Sequence, residues 1–452
     1  MSAMKSIDLF KPEIEEMIEG RQWQVLQELL TELPEPDLAD LLVEIGEKKR
    51  ILILRLLPRD LLPEVFSYLE VSIQEDILQA LTDEETRVIL AGLTPDDRTD
   101  FLEELPGQAI QKVLNLLTPE DRQEALQLLG YPAESVGRLM TPDYVAVRPE
   151  WTVRQALDQI RAKGMDSETI NVIYVANVQG RLIGVMGLRR LILAKPDEQV
   201  EQVMEDTIIS ISALADREEA VQKIRRYDLV ALPVVNAGGI MLGIVTIDDL
   251  FDVAEEEVTE DFQKSAAVNP LKTSYRESSV LSLYGKRVIW LAALLGISVI
   301  TTNIISSQVE TLASAIALAF FIPLLIGTGG NTGAQSSTLM IRAMATGDIR
   351  DRQWVGAVTR EIGIGCLLGI SMGAASWVLG LFKGNWQIAL IVSLAMFAIV
   401  ITSSILGVLL PLMLQRFHVD PAVASNPLIA SIMDIIGLAI YFSIAAVVLN
   451  MV

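Results

Sequence analysis

Pro323-Leu324-Leu325-Ile326-Gly327-Thr328-Gly329-Gly330-Asn331-Thr332-Gly333-Ala334-Gln335 sits inside one long apolar stretch. Ser425-Asn426-Pro427-Leu428-Ile429-Ala430-Ser431-Ile432-Met433-Asp434 opens another. Each is a run of membrane-like residues interrupted by polar groups. Five apolar stretches follow position 280, at roughly 286–306, 311–341, 355–381, 386–415 and 425–450. Each can cross a hydrocarbon core, which takes about 20 residues of helix. Backbone that departs from a helix is tolerated there only when it is buried in protein or lines a wet cavity, so the glycines at 327–330 predict an irregular turn. Asp434 lies seven residues past Pro427, roughly 10 Å along a helix at 1.5 Å per residue. An ionised carboxylate at that depth costs on the order of 3 kcal/mol unless partners or water face it, which makes Asp434 a functional candidate.

Charge divides the chain in two. Six acids and eight bases lie beyond position 280, so of the 58 acids and 36 bases the first 280 residues hold 52 and 28, a net −24 against +2. An acidic soluble half joined to an apolar half implies cations as partners and argues against nucleic acid. The N-terminal stretch MSAMKSIDLFKPEIEE lacks the apolar core of a signal peptide, so the front half is expected in the cytosol. Five spans then place the C-terminus outside. Lys286, Arg287, Arg342, Arg350, Arg352, Arg360 and Arg416 fall near cytosolic ends, and Lys383 outside, as the positive-inside rule requires. The lone Cys366 reads as a small core residue. Gly365, Gly369 and Gly373, four apart, form a close-packing face on the third span.

The front half begins with a repeat. Leu33, Ile45, Leu57, Leu69, Leu81, Leu93, Leu105, Leu117 and Leu129 fall at 12-residue intervals, several followed by Pro or Thr-Pro and then acids. Proline and acids suit the first turn of a helix, and Thr can cap it, so the pattern predicts a small solenoid of short helices. Its acids Asp96, Asp97 and Asp100 read, on their own, as a solvated face.

Two copies of an α/β design follow. NVIYVANVQGRLIGVMGLRRLI and LVALPVVNAGGIMLGIVTIDDLF each hold a β-branched run, a Gly turn and a second β run before a helix, with Gly184 matching Gly243 and Met140 matching Met204. The pair resembles tandem cystathionine-β-synthase-type (CBS) domains, which implies sensing of a small ligand such as an adenine nucleotide. In such modules an Asp in a Thr/Ser-x-x-Asp stretch holds the ribose. The second copy keeps Thr246-Ile247-Asp248-Asp249, but the first has Gly187-Leu188-Arg189-Arg190. A guanidinium has no acceptor for a ribose hydroxyl, which argues against ATP as a cofactor. Asp248 to Asp261 then reads as a base-free, carboxylate-rich helix whose like charges call for a counter-ion, either a neighbouring Lys or Arg or a divalent cation.

PLLIGTGGNTGAQ together with VDPAVASNPLIASIMD resembles the signature of MgtE-type magnesium transporters, and the likeness runs through essentially the whole chain. It implies a multidomain protein: an all-α solenoid-like N-domain (1–130), an α/β CBS pair (131–199 and 200–256), a connecting plug helix (257–284) and an all-α polytopic membrane domain of five helices (285–452). It also implies a homodimer in the bacterial inner membrane whose pore follows the two-fold axis, lined by the second and fifth spans. Asp434 matches the central ion-binding residue, with Asn426, Ala430, Gly327, Gly329, Gly330 and Asn331 as the neighbouring wall. Asp97, Asp100, Asp216, Asp228, Asp249, Asp252, Glu257, Glu260 and Asp261 are the candidate regulatory Mg²⁺ ligands. No enzymatic constellation appears. The expected function is a Mg²⁺-selective uptake channel closed by cytosolic Mg²⁺. A cation-coupled secondary carrier is the alternative; a CBS-regulated anion channel and a tethered cytosolic sensor fit Asp434 less well.

Overall fold

The computed structural model describes residues 7–271, 275, 278–346, 348–349, 354–417 and 419–450. Arg350 and Arg352 therefore lie outside the described residues. Two compact units divide the chain, residues 1–254 and 255–452.

In the first unit the 12-residue interval becomes ten-residue helices, Glu35–Glu44, Glu47–Leu56, Val71–Ala80, Asp83–Gly92, Pro95–Glu104, Gly107–Leu116 and Pro119–Leu128, joined by two-residue links except where the shorter helix Leu61–Ser67 stands between Leu56 and Val71. The repeating Leu or Ile sits just past each helix, in extended backbone from Leu33 to Leu117 wherever it caps one. Ile45, Leu57, Leu69, Leu93, Leu105 and Leu117 are buried in one core, where Phe66 and Phe101 meet edge-to-face at 5.5 Å. Thr82 and Glu85 form a full capping box, and Pro95 and Pro119 occupy first turns.

A second period lies over the first. Arg50, Gln74, Arg98 and Arg122 fall 24 apart. Each sends its side chain back to a carbonyl near the end of an earlier helix: Leu42 at 2.7 Å, Phe66 at 2.7 Å, Leu93 at 2.9 Å and Leu114 at 2.6 Å. Helix C-termini leave carbonyls without intrahelical donors, and these side chains supply them. The structural repeat is thus a helix pair.

The α/β modules form two three-stranded sheets. β1 (Tyr144–Val147) runs parallel to β2 (Thr169–Ala176), which pairs antiparallel with β3 (Leu182–Gly187). β4 (Ile211–Ser212), β5 (Ala231–Val235) and β6 (Met241–Thr246) repeat the order. The matched Gly and Met residues explain each other across the pair. Thr141, next to Met140, bridges Ile244 on β6, and Glu205, next to Met204, bridges Val185 on β3. A Cβ at Gly243 would lie 2.5 Å from the Thr141 carbonyl oxygen, and one at Gly184 would lie 2.4 Å from Met204 Sδ. Each glycine lets the other module's leading segment lie on its strand.

The second unit contains five helices long and apolar enough to cross a membrane: span one, Val280–Ser307; span two, Ile316–Ala345; span three, Trp354–Lys383; span four, Trp386–Arg416; and span five, Asn426–Leu449. Each agrees with a predicted stretch. One expectation is overturned. The backbone at 327–330 is not an irregular turn; an α-helix runs unbroken over Ile322–Ala345, and the break lies earlier, at Ala315 (φ −146°, ψ 79°) before a 3₁₀ segment, Ile316–Phe321. The glycines serve packing. A Cβ would meet Ile399 at 2.7 Å from Gly329, Ala430 at 3.1 Å from Gly330 and Ile429 at 2.7 Å from Gly333. Close approach to spans four and five offsets the roughly 1 kcal/mol that each interior glycine costs a helix. The stripe Gly365, Gly369 and Gly373 packs likewise on Ser404, Phe397 and Ser393 of span four.

The modules' close approaches differ in what must yield. Gly243→Ala collides with backbone and is expected to lower stability by about 1–3 kcal/mol, whereas Gly184→Ala pushes first on a flexible thioether and costs less. Thermal unfolding of the two variants checks the order.

Candidate metal path and acidic cluster

Asn426, Ala430 and Asp434 stand four apart in span five, so they share one helix face. Ala430 on that face abuts Gly330 of span two, which fixes the two spans against each other. Met433, beside Asp434, is buried, while Asp434 itself is only partly so. On span two, Gly327 and Asn331 are exposed, in a row that continues through Gln335 and Thr338. Gly329 and Gly330 face the other way, into the helix contacts. The predicted wall residues therefore separate: Gly327 and Asn331 belong to a polar open stripe, Gly329 and Gly330 to the packing behind it. Thr338 Oγ1 lies 3.4 Å from Asn426 Oδ1, and Ser337 Oγ donates to the Ala424 carbonyl at 3.3 Å. Ser403 of span four donates to the Gly329 carbonyl.

The acids of the first unit behave differently. Asp96 and Asp97 open the helix Pro95–Glu104, and Asp248, Asp249 and Asp252 lie in the helix Ile247–Ser265. Burial lifts Asp96 to about 7, with the charges of Asp97 and Glu168 adding to it. Its Oδ1 is buried without a hydrogen-bond partner. Burial also lifts Asp249 to about 7, aided by Asp96 and Asp248 and opposed by hydrogen bonds from Thr246, whose Oγ1 stands 2.5 Å away. Glu168, on β2's approach, reaches about 7 through burial and then the charges of Asp249, Asp248 and Asp97. Asp97 is exposed, yet partial removal from bulk water raises it, opposed by hydrogen bonds that Thr94 and Ser67 donate and reinforced by Asp248 and Asp252. Thr94, the predicted cap of this helix, makes no cap bond; its hydroxyl serves these carboxylates instead.

Of the predicted regulatory residues, then, Asp97, Asp249 and Asp252 come together. Asp96, Glu168 and Asp248 join them and were not among the candidates. The sole local hint was Asp96 beside Asp97 and Asp248 beside Asp249. Among the described residues no three such side chains already form a metal cage. Asp100 is exposed on the same helix as Asp97. Asp216 and Asp228 bound the helix Arg217–Tyr227, Asp216 accepting from Glu218 N at its start and Asp228 ending it with φ 51°. Twelve residues of helix hold them roughly 18 Å apart, so they cannot share an ion within one chain. Glu257, Glu260 and Asp261 follow on the helix Ile247–Ser265. Glu260 has the bland counter-ion: Lys264 bridges it to Asp420, whose Oδ2 is 2.5 Å from Nζ. Both carboxylates push the Lys264 pKa up, against burial. Asp420 Oδ1 also accepts from Ala422 N at 2.8 Å, just ahead of span five.

In the first module Arg189 and Arg190 line an open cavity of about 700 Å³, and Arg190 Nη1 is 2.5 Å from Glu205 Oε1. Arg190 therefore already holds a carboxylate of its own.

Comparison with known proteins agrees with this layout. Models of three families match: the MgtE intracellular N domain over residues 15–134, the CBS domain over 136–197 and 200–256, and the MgtE divalent cation transporter over 322–444. The chain is 38% identical to magnesium transporter MgtE of Thermus thermophilus over 97% of its own length and 98% of the relative's. It is 35% identical to magnesium transporter MgtE of Bacillus subtilis over 92% of each. The crystal structure of the cytosolic domain of the Mg²⁺ channel MgtE in complex with ATP aligns with 54% of this chain and 99% of that one, at 37% identity and a TM-score of 0.52. A helical repeat domain, a CBS pair and five apolar helices with a carboxylate in the last make this a multi-pass membrane protein, and the chain belongs to the MgtE family of divalent cation transporters.

Proposed function

We propose that this protein is a Mg²⁺ channel for uptake, closed from within by cytosolic Mg²⁺. The observation that carries the transport reading is Asp434, inside an apolar span and on one face with Asn426 and Ala430. Mg²⁺ gives up water reluctantly and is held by one or two carboxylates while keeping several waters. Two copies of the chain about a two-fold axis bring two Asp434 side chains together, and a dication between them relieves their repulsion. Asn426 and the polar stripe of span two, Asn331, Gln335 and Thr338, accept hydrogen bonds from the retained waters. A dry cage would hold the ion too tightly to conduct. The membrane potential drives entry with about 4.6 kcal/mol for two charges at 100 mV. In this reading the first unit is cytosolic and the C-terminus outside.

The gate follows from charge. Mg²⁺ shared among Asp97, Asp248, Asp249, Asp252 and Glu168 neutralises a cluster that repels itself, and the closed arrangement binds the ion more tightly than the open one. Within the second unit, the Lys264 ammonium holds the end of the helix Ile247–Ser265 to Asp420 at the foot of span five. A nucleotide is not part of this reading: the domain solved with ATP is a relative's, and here Arg190 is paired with Glu205.

Three measurements test these statements. In proteoliposomes, Asp434→Ala is expected to reduce Mg²⁺ flux to that of empty vesicles; flux at the parental level would end the transport reading. Lys264→Gln is expected to raise flux at low Mg²⁺ by about fivefold, equivalent to ~1 kcal/mol for a partly exposed ion pair; an unchanged dependence on Mg²⁺ would remove the latch. The acidic cluster titrates with a definite sign. Carboxylates raised to about 7 in the folded chain favour the fold below their unfolded values and lose that contribution as pH rises to about 7. Without Mg²⁺, the unfolding temperature should therefore fall between pH 5 and pH 8, and added Mg²⁺ should restore it at pH 8 far more than at pH 5.

A further inference from the structure

Among the described residues, the five spans contain two carboxylates, Asp434 and Glu361. Glu361 has no part in the ion path described above. It lies seven residues into span three from Trp354, roughly 10 Å along the helix axis, and it is partly buried. It also stands one turn before Gly365, so it extends the glycine face packed on span four. Carboxylates at such positions are costly and seldom idle.

We infer that Glu361 is a positioning residue for the ion path, acting through Ser336 of span two to hold Asn426 in place. Ser336 is buried, and its Oγ donates to Glu361 Oε1 at 2.5 Å. The bond crosses between two spans and gives the buried Ser336 hydroxyl an acceptor on span three. Three helices meet at this serine. A Cβ on Gly407 of span four would lie 2.8 Å from Ser336 Cβ and 2.5 Å from the Gly333 carbonyl oxygen, so the missing side chain at 407 admits span two at this level. The next two residues of span two turn to the start of span five: Ser337 donates to the Ala424 carbonyl, and Thr338 pairs with Asn426. Three consecutive hydroxyls thus tie span two to span three on one side and to the foot of span five on the other. Both bonds to the foot of span five exceed 3.2 Å, so they hold only if the helix carrying them is fixed in rotation and height. Glu361 supplies that fixing.

This inference rests on the reading that Asn426 and Asp434 line the path, and the experiment separates the two. Mg²⁺ flux into proteoliposomes carrying the full chain is measured against Mg²⁺ concentration for Glu361→Ala, Glu361→Gln, Ser336→Ala and the Glu361→Ala/Ser336→Ala pair. Loss of the anchor should raise the half-saturating Mg²⁺ concentration about three- to tenfold in either alanine variant, with no further rise in the pair because both remove the same bond. Glu361→Gln keeps an acceptor for Ser336 and should stay within about twofold of the parent. Half-saturation at the parental value in both alanine variants, with only folded yield or maximal flux reduced, would make Glu361 a stability residue and overturn the proposal. A shift in Glu361→Gln as large as in Glu361→Ala would overturn it too, because charge and not the bond would then be at work. Should Glu361→Ala fail to fold, Ser336→Ala and Glu361→Gln decide alone. Asp434→Ala is the control: flux surviving in it defeats the path reading itself, whereas flux lost in it alongside parental behaviour in the alanine variants defeats this inference alone.

Discussion

A carboxylate inside a bilayer must have company. Hydrocarbon offers Asp434 no hydrogen bonds and no counter-charge, so the surrounding helices have to bring water, polar groups or a cation to it. Much of the second unit follows from that demand. Gly329, Gly330 and Gly333 draw span two against spans four and five, and the opposite side of the same helix keeps Gly327, Asn331, Gln335 and Thr338 open. Packing on one face and polarity on the other give a rigid wall beside the carboxylate. The same economy recurs on span three, where a glycine stripe seats the helix and Glu361 completes the contact by accepting from Ser336.

The first unit poses the converse problem. Its acids are not isolated in lipid but crowded together, and segments distant in sequence supply them: the helix Pro95–Glu104, the helix Ile247–Ser265 and Glu168 just ahead of β2. Burial first, and then the neighbouring carboxylates, raise Asp96, Asp249 and Glu168 to about 7, so ionising them together is costly. A dication relieves that cost, as a proton does. The proposed response to Mg²⁺ therefore needs no finished cage; it needs carboxylates close enough to repel and free enough to separate when the ion leaves.

Local repetition was legible in the chain, and long-range approach was not. The 12-residue interval could be read because each helix ends at its Leu or Ile. The 24-residue interval of Arg50, Gln74, Arg98 and Arg122 was equally present, but polar residues on a helix read as solvated unless their acceptors are known. Gly184 and Gly243 could be matched as a pair without their reason, since each answers to a segment of the other module. The glycines at 327–330 misled for a related cause. Glycine loosens a helix in isolation, and only the neighbours at Ile399 and Ala430 show why a straight helix tolerates it. Asp434 was readable because a carboxylate in an apolar run is conspicuous, whereas Asn426 came only with the family resemblance. Glu361 was less so, with Arg360 beside it suggesting a surface turn.

Lys264 joins the two halves of this reasoning. The carboxylate-rich stretch from Asp248 to Asp261 calls for counter-ions, and both a protein cation and a divalent ion were open to it. The structure settles the protein cation's share. Glu260, toward its end, takes Lys264 and shares it with Asp420, while Asp248, Asp249 and Asp252, at its start, lie near the acids Asp97 and Glu168. A tethered ammonium is present at every Mg²⁺ concentration, whereas a diffusible ion is not. In the proposed reading the helix carries a constant attachment at one end, and an ion bound at the other would be the part that varies with Mg²⁺ concentration.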